Sequence, residues 1–150
     1  MTDKKNTVIK LNQFWPYQTV VLADLISRFT LTVIKKNSQL NLSQWRVLAA
    51  IADQSGRTSA QVVAVTPMDK GIVSRAVASL IESGMLEKRI DSEDRRRATL
   101  HMTKTGQHNY QSISKQLSST LLEITVDDLA SSDFSTILND YILSLKDIVD

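Results

Sequence analysis

The stretch TSAQVVAVTPMDKGIVSRAVASLIESG, residues 58–84, predicts two short helices joined by a tight connection. Thr58 and Gln61 have the spacing of a capping box, in which each side chain bonds the other residue's backbone amide, and this predicts a helix over residues 59–65. A Thr-Pro-Met break follows, because proline cannot continue a helix. An aspartate then caps a second helix over residues 69–83, and a glycine ends it. Two helices connected in this way form a helix-turn-helix pattern.

The second of these helices has two unlike faces at about 100° per residue. The apolar face is predicted to pack inward and carries Ile72, Val73, Ala76, Val77 and Leu80. The opposite face carries Lys70, Gly71, Ser74, Arg75 and Ala78. Small and basic side chains, with no acid before Glu82, suit a close approach to phosphates and base edges. Gly71 costs about 1 kcal/mol relative to alanine, so we expect a nearby phosphate or a tight helix crossing to offset it. A plain solvated face is the alternative.

After Gly84 the helical spacing of apolar residues ends, and residues that point to opposite faces alternate along the chain. This pattern predicts two strands joined by a charged loop. The alternating residues are Leu86, Lys88 and Ile90, then Leu100 and Met102. The loop DSEDRRR, residues 91–97, places three arginines inside an acidic frame. A hairpin after a helix-turn-helix predicts a winged helix, which is a mainly α fold with a small β-hairpin wing (α+β). An arginine-rich wing suits the narrow minor groove, whose potential is most negative over A·T runs. Asp94 has the spacing to hold the Arg96 guanidinium by a bidentate pair.

Two further helices are predicted before the helix-turn-helix. An apolar stripe from Phe14 to Val33 predicts a first helix over about residues 15–36. Ser43 is the expected N-cap of the next helix, because it stands directly before an alanine-rich apolar run. Gly56 is expected to close that helix in a left-handed conformation.

Two amphipathic helices are also predicted after the wing. Their apolar stripes are Ile113, Leu117, Leu121 and Ile124, then Phe134, Ile137, Leu138, Tyr141, Ile142, Leu145, Ile148 and Val149. We interpret residues 40–104 as a DNA-binding lobe, and residues 14–37 and 105–150 as a dimerisation region covered by a second copy of the chain. An intramolecular bundle without a dimer is the alternative.

The charges are unevenly distributed, although the net charge is only +2. Residues 1–56 carry 7 Lys+Arg and 3 Asp+Glu, residues 57–106 carry 9 and 6, and residues 107–150 carry 2 and 7. The first two thirds can therefore face a polyanion, and the last third cannot. The absence of cysteine excludes disulfides, thiolate metal sites and cysteine-based redox sensing. The apolar stretches are broken well short of the roughly 20 residues of a membrane span, so we expect a cytoplasmic protein without a membrane segment.

Three segments resemble the MarR family of winged-helix transcription regulators in their order and spacing. They are LSQWRVLAAIAD (42–53), DKGIVSRAVASLIESGMLEKR (69–89) and DSEDRRRATLHMTKTG (91–106). The DKG-x-VSR segment and the D-x-R wing followed by T-x-x-G are specific in combination. The resemblance implies one MarR-type domain over residues 1–150 and a homodimer that binds an inverted repeat. We interpret it as a repressor, with half-sites about 10 bp apart.

The resemblance also implies which residues contact DNA. The helix predicted over residues 69–83 corresponds to the recognition helix, and Ser74 and Arg75 correspond to positions in it that contact bases or the DNA backbone. Arg96, steadied by Asp94, corresponds to the wing residue that enters the minor groove, and its arginine neighbours are candidate phosphate contacts. The predicted DNA-binding residues are Thr58, Ser59, Gln61, Lys70, Gly71, Ser74, Arg75, Asp94, Arg95, Arg96 and Arg97. Two residues depart from the family pattern: Pro67 stands where the turn often has glycine, and Arg97 replaces a commonly small residue.

Many proteins of this family bind a small aromatic or lipophilic acid in a cleft between the dimer helices and the DNA-binding lobe. The candidate residues for such an effector here are Trp15, Tyr17, Trp45 and Arg46. A place in the core is the stronger alternative for Trp45, and an internal ion pair is the stronger alternative for Arg46.

Two other classes of function compete with DNA binding. For an enzyme, the only histidines are His101 and His108, which lack metal-ligand spacing, and the four glycines form no nucleophile elbow or phosphate loop. No catalytic residue, metal site or cofactor is therefore predicted. A winged helix that binds protein is the other alternative, but such a module has no need for a wing arginine cluster. A steep salt dependence of DNA binding separates the two.

Overall fold

The computed structural model describes residues 8–121, 123 and 131–149 of the chain. Within these ranges the elements are a 3-10 turn at Leu11–Gln13, α1 (Trp15–Asn37), α2 (Leu42–Asp53), α3 (Ser59–Val65), α4 (Lys70–Glu82), β1 (Leu86–Ile90), β2 (Ala98–Met102), α5 (Lys104–Leu121) and α6 (Ser131–Val149). The two strands form an antiparallel hairpin. The predicted fold class, mainly α with a β-hairpin wing, is confirmed, and so are the predicted extents of the first helix and of α3.

Among the described residues, those up to Ile113 form one compact unit, and those from Ser114 on form a second. The core of the first unit contains residues from α1, α2, α3, α4, β2 and α5. Its largest fully buried side chains are Ile34, Val47, Leu48, Ile51, Val62, Val73, Leu80, Leu100 and Ile113. One apolar core therefore fixes the helix-turn-helix and the base of the hairpin together.

Capping boxes begin both α2 and α3. Asn41 Oδ1 accepts from the Gln44 amide at 2.8 Å, and Gln44 Oε1 accepts from the Asn41 amide at 2.8 Å. The prediction of Ser43 as the N-cap is wrong, because the reciprocal Asn41–Gln44 bonds begin the helix at the preceding residue. The predicted box of Thr58 and Gln61 is confirmed, with bonds of 2.8 and 3.3 Å.

Two glycines in the left-handed conformation turn the chain after helices. Gly84, with φ of +72°, follows α4 as predicted. Gly56, with φ of +87°, is left-handed as predicted, but α2 already ends at Asp53, so Gly56 shapes the following loop. The Gly56 amide donates to the Leu100 carbonyl at 3.0 Å, and the Leu100 amide donates to the Arg57 carbonyl at 2.9 Å. This loop is thereby bonded to β2 and holds the wing against the lobe.

A close backbone approach joins the start of α5 to the start of the wing. The Thr103 amide donates to the Met85 carbonyl at 3.1 Å, and its hydroxyl donates to the Gly84 carbonyl at 2.6 Å. The same hydroxyl accepts from the Gly106 amide at 3.1 Å. A Cβ at Gly106 would lie 2.1 Å from the Met85 carbonyl oxygen. The T-x-x-G stretch after the wing therefore requires its glycine for steric reasons.

α1 is the one helix of the described ranges that is long and apolar enough to cross a membrane, judged by length and composition alone. Asp24 interrupts the apolar stretch of this helix, as the sequence predicts, although the helix as a whole has the length and composition of a span. Asp24 forms an ion pair with Arg28 at 2.9 Å. Thr30, Val33 and Ile34, near the C-terminal end of α1, are buried in the first unit. This burial favours a helix that packs within the protein.

The second unit contains the end of α5 and the whole of α6. The stripe predicted for the last helix lies on α6, and Ile137, Tyr141 and Leu145 are among its exposed members. Ile124, predicted in the preceding stripe, lies outside the described residues. The dimerisation region over 14–37 and 105–150 stays a prediction.

Candidate nucleic-acid interface

α4 divides into the two faces that the sequence predicts. Asp69 caps the helix, and its Oδ1 accepts from the Ile72 amide at 2.7 Å. The packed side consists of Val73, Ala76, Val77 and Leu80, which are buried, and Ile72, which is half-buried. The opposite side, called here the free face of α4, consists of the exposed residues Lys70, Gly71, Ser74, Arg75 and Ala78. The free face is small and basic along its length, so a groove of a polyanion can approach it closely.

Gly71 leaves an opening in the free face. A Cβ at this position would meet Asp69 Oδ1 at 3.3 Å and Arg75 Nη1 at 3.4 Å, and no group of another element within 4 Å in the described part of the chain. Both neighbours are side-chain atoms of the cap and the next turn of the same helix. Of the two expectations for Gly71, the tight helix crossing is therefore wrong within this chain, and the nearby phosphate stays a prediction.

Backbone hydrogen bonds to two aspartates shape the wing loop. Asp91 Oδ1 accepts from the Glu93 amide, and Asp94 Oδ1 accepts from the Arg96 amide, both at 2.9 Å. The Arg97 amide donates to the Asp94 carbonyl, and the Asp91 amide donates to the Arg97 carbonyl, again at 2.9 Å. Hydrogen bonds from the Glu93 and Asp94 amides, followed by the Arg97 charge, hold the pKa of the Asp91 carboxyl below its usual value.

The predicted bidentate pair between Asp94 and the Arg96 guanidinium is wrong for this structure. Three ion pairs occur in the described ranges, and none includes Asp94. The short Asp94 side chain bonds the amide two residues ahead instead, as aspartates in turns commonly do. Asp94 therefore sets the backbone from which the arginine side chains project, and does not hold a guanidinium.

A groove of about 550 Å³ separates the start of α3 from the wing. It is lined by Thr58, Ser59, Ala60, Gln61, Lys88, Asp94, Arg96, Arg97 and Ala98. The structure thus brings the predicted α3 and wing residues to one place. Within this groove the side chains of Thr58 and Gln61 are engaged in the capping box, whereas the exposed wing arginines have no carboxylate within 4.0 Å in the described ranges.

Lys88 of β1 was missed as a functional residue. It is exposed and lines both this groove and a second one that contains Ser59 and Ser74. Its side chain therefore lies between the wing and the helix-turn-helix. The sequence contained the signal, since strand alternation puts Lys88 on the same side of β1 as the buried Leu86.

Six cations of this surface have no carboxylate oxygen within 4.0 Å in the described part of the chain, whose ion pairs lie elsewhere. They are Lys70, Arg75, Lys88, Arg95, Arg96 and Arg97, and all are exposed. In contrast, Arg57 is largely buried and pairs with Asp53 at 2.7 Å, so it serves the fold. Unpaired exposed cations from α4, β1 and the wing loop can each neutralise a phosphate.

The four predicted effector residues do not converge within one chain. Trp45 is buried and stacks on Tyr110, with ring centroids 5.2 Å apart, which agrees with the core alternative. Arg46 is half-buried and donates to the Ser27 hydroxyl at 3.3 Å, so the internal ion pair expected for it is wrong. Trp15 and Tyr17 are exposed near the start of α1, about 15–18 Å along the helix axis from Ser27 at 1.5 Å per residue.

Comparisons with known proteins agree with this architecture. The family model described as MarR family matches residues 38–97, which include α2 to β1 and the wing loop. The HTH-type transcriptional regulator BilQ of Clostridium symbiosum is 23% identical over 101 residues, which cover 67% of this chain and 69% of BilQ. These matches confirm the resemblance inferred from the sequence, and the relatives are transcription regulators rather than enzymes.

Two solved structures show the same fold. A MarR/EmrR family transcriptional regulator from Acinetobacter sp. ADP1 matches with a TM-score of 0.78 and 23% identity, over 94% of this chain and all of that one. CouR from Rhodococcus jostii RHA1, solved bound to p-coumaroyl-CoA, matches with a TM-score of 0.74 and 16% identity. That match covers 94% of this chain and 95% of CouR.

Proposed function

We propose that the protein, whose residues 38–97 match the MarR family model, regulates transcription by binding duplex DNA in a sequence-specific manner. The observation that carries this proposal is the set of six exposed cations without carboxylate partners in the described ranges, on α4, β1 and the wing loop. Three separate elements of the lobe thus carry unpaired positive charge. A duplex presents phosphates along both of its grooves, so it can neutralise several of these cations together.

The free face of α4 is proposed to enter the major groove. Its small side chains permit close approach, and Ser74 and Arg75 lie where base edges are read. The wing then reaches the neighbouring minor groove with Arg96. Arg95, Arg97 and Lys88 supply contacts to the flanking phosphates.

We propose a homodimer that acts as a repressor by occupying a pseudo-palindromic operator. Support comes from apolar side chains that the described ranges of one chain leave exposed. On α1 these include Val20 and Leu25, which are 66% and 50% exposed, and on α6 they include Ile142, which is 50% exposed. A second copy would remove such surfaces from water. Twofold symmetry places the half-sites about 10 bp apart, centre to centre.

An aromatic or lipophilic acid is the proposed effector that releases the DNA. The bound p-coumaroyl-CoA of CouR supports this class of ligand, although that protein is only 16% identical. Arg46 is the cation among the four candidates that suits an acidic ligand, because it is half-buried and its hydrogen bond to Ser27 in the described part of the chain is a long one. The protein is proposed to act in the cytoplasm without a membrane segment or cofactor.

Salt dependence of DNA binding tests the proposal. Fluorescence anisotropy would follow the full chain on a labelled random-sequence duplex at several salt concentrations. We expect log Kd to rise linearly with log salt, and Arg96→Ala to reduce that slope by about 0.9 for each phosphate that the variant no longer neutralises. Lys35→Ala, on an exposed part of α1, is the matched control and leaves the slope unchanged. Binding without a salt slope would contradict the proposal and favour a protein-interaction module.

A further inference from the structure

Two different polar groups border the opening over Gly71. They are the carboxylate of Asp69 and the guanidinium of Arg75. We propose that this opening reads one G·C base pair in each half-site, with Arg75 donating to guanine and Asp69 accepting from cytosine. The proposal rests on the DNA-binding function proposed above and names the base pair that α4 selects.

The geometry leaves both groups available to a ligand. From the Cβ position of Gly71, Asp69 Oδ1 is 3.3 Å away and Arg75 Nη1 is 3.4 Å away. The two side chains therefore flank one spot, yet the ion pairs of the described ranges do not include either of them. Asp69 Oδ1, the oxygen beside the opening, also accepts from the Ile72 amide, and a carboxylate oxygen can accept a second hydrogen bond. No hydrogen bond in the described ranges occupies Asp69 Oδ2.

The pattern of donors and acceptors selects the base pair. In the major groove a G·C pair presents two adjacent acceptors, N7 and O6 of guanine, followed by the N4 donor of cytosine. An A·T pair presents an acceptor, a donor and an acceptor, so it offers no two adjacent acceptors to the guanidinium. Arg75 can supply two parallel donors, and Asp69 supplies the acceptor next to them. Only the G·C pair satisfies two donors of Arg75 and the acceptor of Asp69 together.

Glycine at position 71 is required for the base edge to reach both groups. A Cβ would already be in tight contact with Asp69 and Arg75 at 3.3 and 3.4 Å, and it would fill the spot that the base edge has to enter. The crowded atoms belong to side chains, one of them at the end of the flexible Arg75, so Gly71→Ala is expected to fold. Its defect should lie in base selection.

Binding of base-substituted duplexes tests the assignment. The starting duplex is the one that the wild-type protein selects from a randomised pool, and each of its positions is replaced in turn by the other three base pairs. We expect the wild type to prefer G·C at one position of each half-site by roughly 5- to 160-fold, the range of one good base contact. Asp69→Asn keeps the helix cap, because asparagine caps as well as aspartate. It also turns the unoccupied acceptor into a donor, so the preference at that position should fall at least 5-fold.

Two further variants complete the test. Glu82→Gln makes the same change of charge at an exposed position in the last turn of α4 and should keep the wild-type base preferences. Gly71→Ala should lose the preference at the same position as Asp69→Asn, without a lower melting temperature. Unchanged base preferences in Asp69→Asn, or a wild-type preference for A·T where Arg75→Ala loses discrimination, would overturn this inference alone. Recovery of no enriched duplex would overturn the proposed function as well.

Discussion

Replacing Gly106 by alanine is expected to destabilise the first unit by displacing α5 from the start of the wing. The added Cβ would lie 2.1 Å from the Met85 carbonyl oxygen and 3.0 Å from its carbon. The separation from the oxygen must lengthen by about 0.9 Å to reach 3.0 Å, below which such separations essentially never occur. Both partners are backbone segments, so no side-chain rotation relieves the clash.

The size of the effect follows from the contacts at this junction. Overpacking costs about 1–3 kcal/mol. The two hydrogen bonds from Thr103 to the Met85 and Gly84 carbonyls would also stretch, at about 0.5–1.5 kcal/mol each. Alanine favours the helix over glycine by about 1 kcal/mol, which offsets part of this cost. The expected net loss is therefore about 1–5 kcal/mol, a large part of the roughly 5–15 kcal/mol that stabilises a typical domain.

Urea denaturation followed by circular dichroism measures this loss. Thr105→Ala, at the exposed neighbouring position, is the control and should unfold close to the wild-type midpoint. If Gly106→Ala unfolds at the same urea concentration as the wild type, the close approach of Gly106 to Met85 is not the reason for the glycine, and the steric explanation is refuted.

Three further predictions concern the wing and the oligomeric state. Asp94→Ala should weaken binding to duplex DNA in an anisotropy titration, because the Arg96 amide loses the acceptor that shapes the loop. Binding should weaken even though the variant removes a negative charge, and tighter binding would mean that Asp94 only repels DNA. The lowered pKa of Asp91 means that its charged form stabilises the folded loop. This contribution is present at neutral pH and is lost as the pH falls through the lowered pKa. An NMR titration should therefore find that the Asp91 carboxyl stays ionised to a more acidic pH than in an unfolded peptide. An equal pKa in the two states would refute the loop geometry. Leu25→Asp should convert a dimer to monomers in light scattering, since the half-exposed Leu25 is proposed to lie in the dimer interface; a wild-type protein that is already monomeric would contradict that proposal.

Features set by local sequence were predictable. The box of Thr58 and Gln61 depends on residues three apart, and the two faces of α4 depend on helical periodicity. The cap of α2 is equally local, since Asn41 and Gln44 have the spacing of a capping box, but the apolar run that begins after Ser43 favours Ser43 as the cap when read alone.

Features set by distant contacts were not predictable from the sequence. The stack of Trp45 on Tyr110 and the bond from Arg46 to Ser27 join separate helices, and no spacing rule selects these partners. The pairing of Asp94 was predicted wrongly for a local reason. A carboxylate on a short side chain reaches the amide two residues ahead more readily than the end of a long, exposed arginine.

The most direct test of the central claim is selection of bound duplexes from a randomised DNA pool by the purified full chain. We expect an enriched inverted repeat with half-sites about 10 bp apart and A·T-rich positions beneath the wings. The enrichment should disappear in Arg75→Ala combined with Arg96→Ala. A pool that remains random after selection by the wild-type protein, or an enriched sequence that the double variant still selects, would contradict DNA recognition by α4 and the wing.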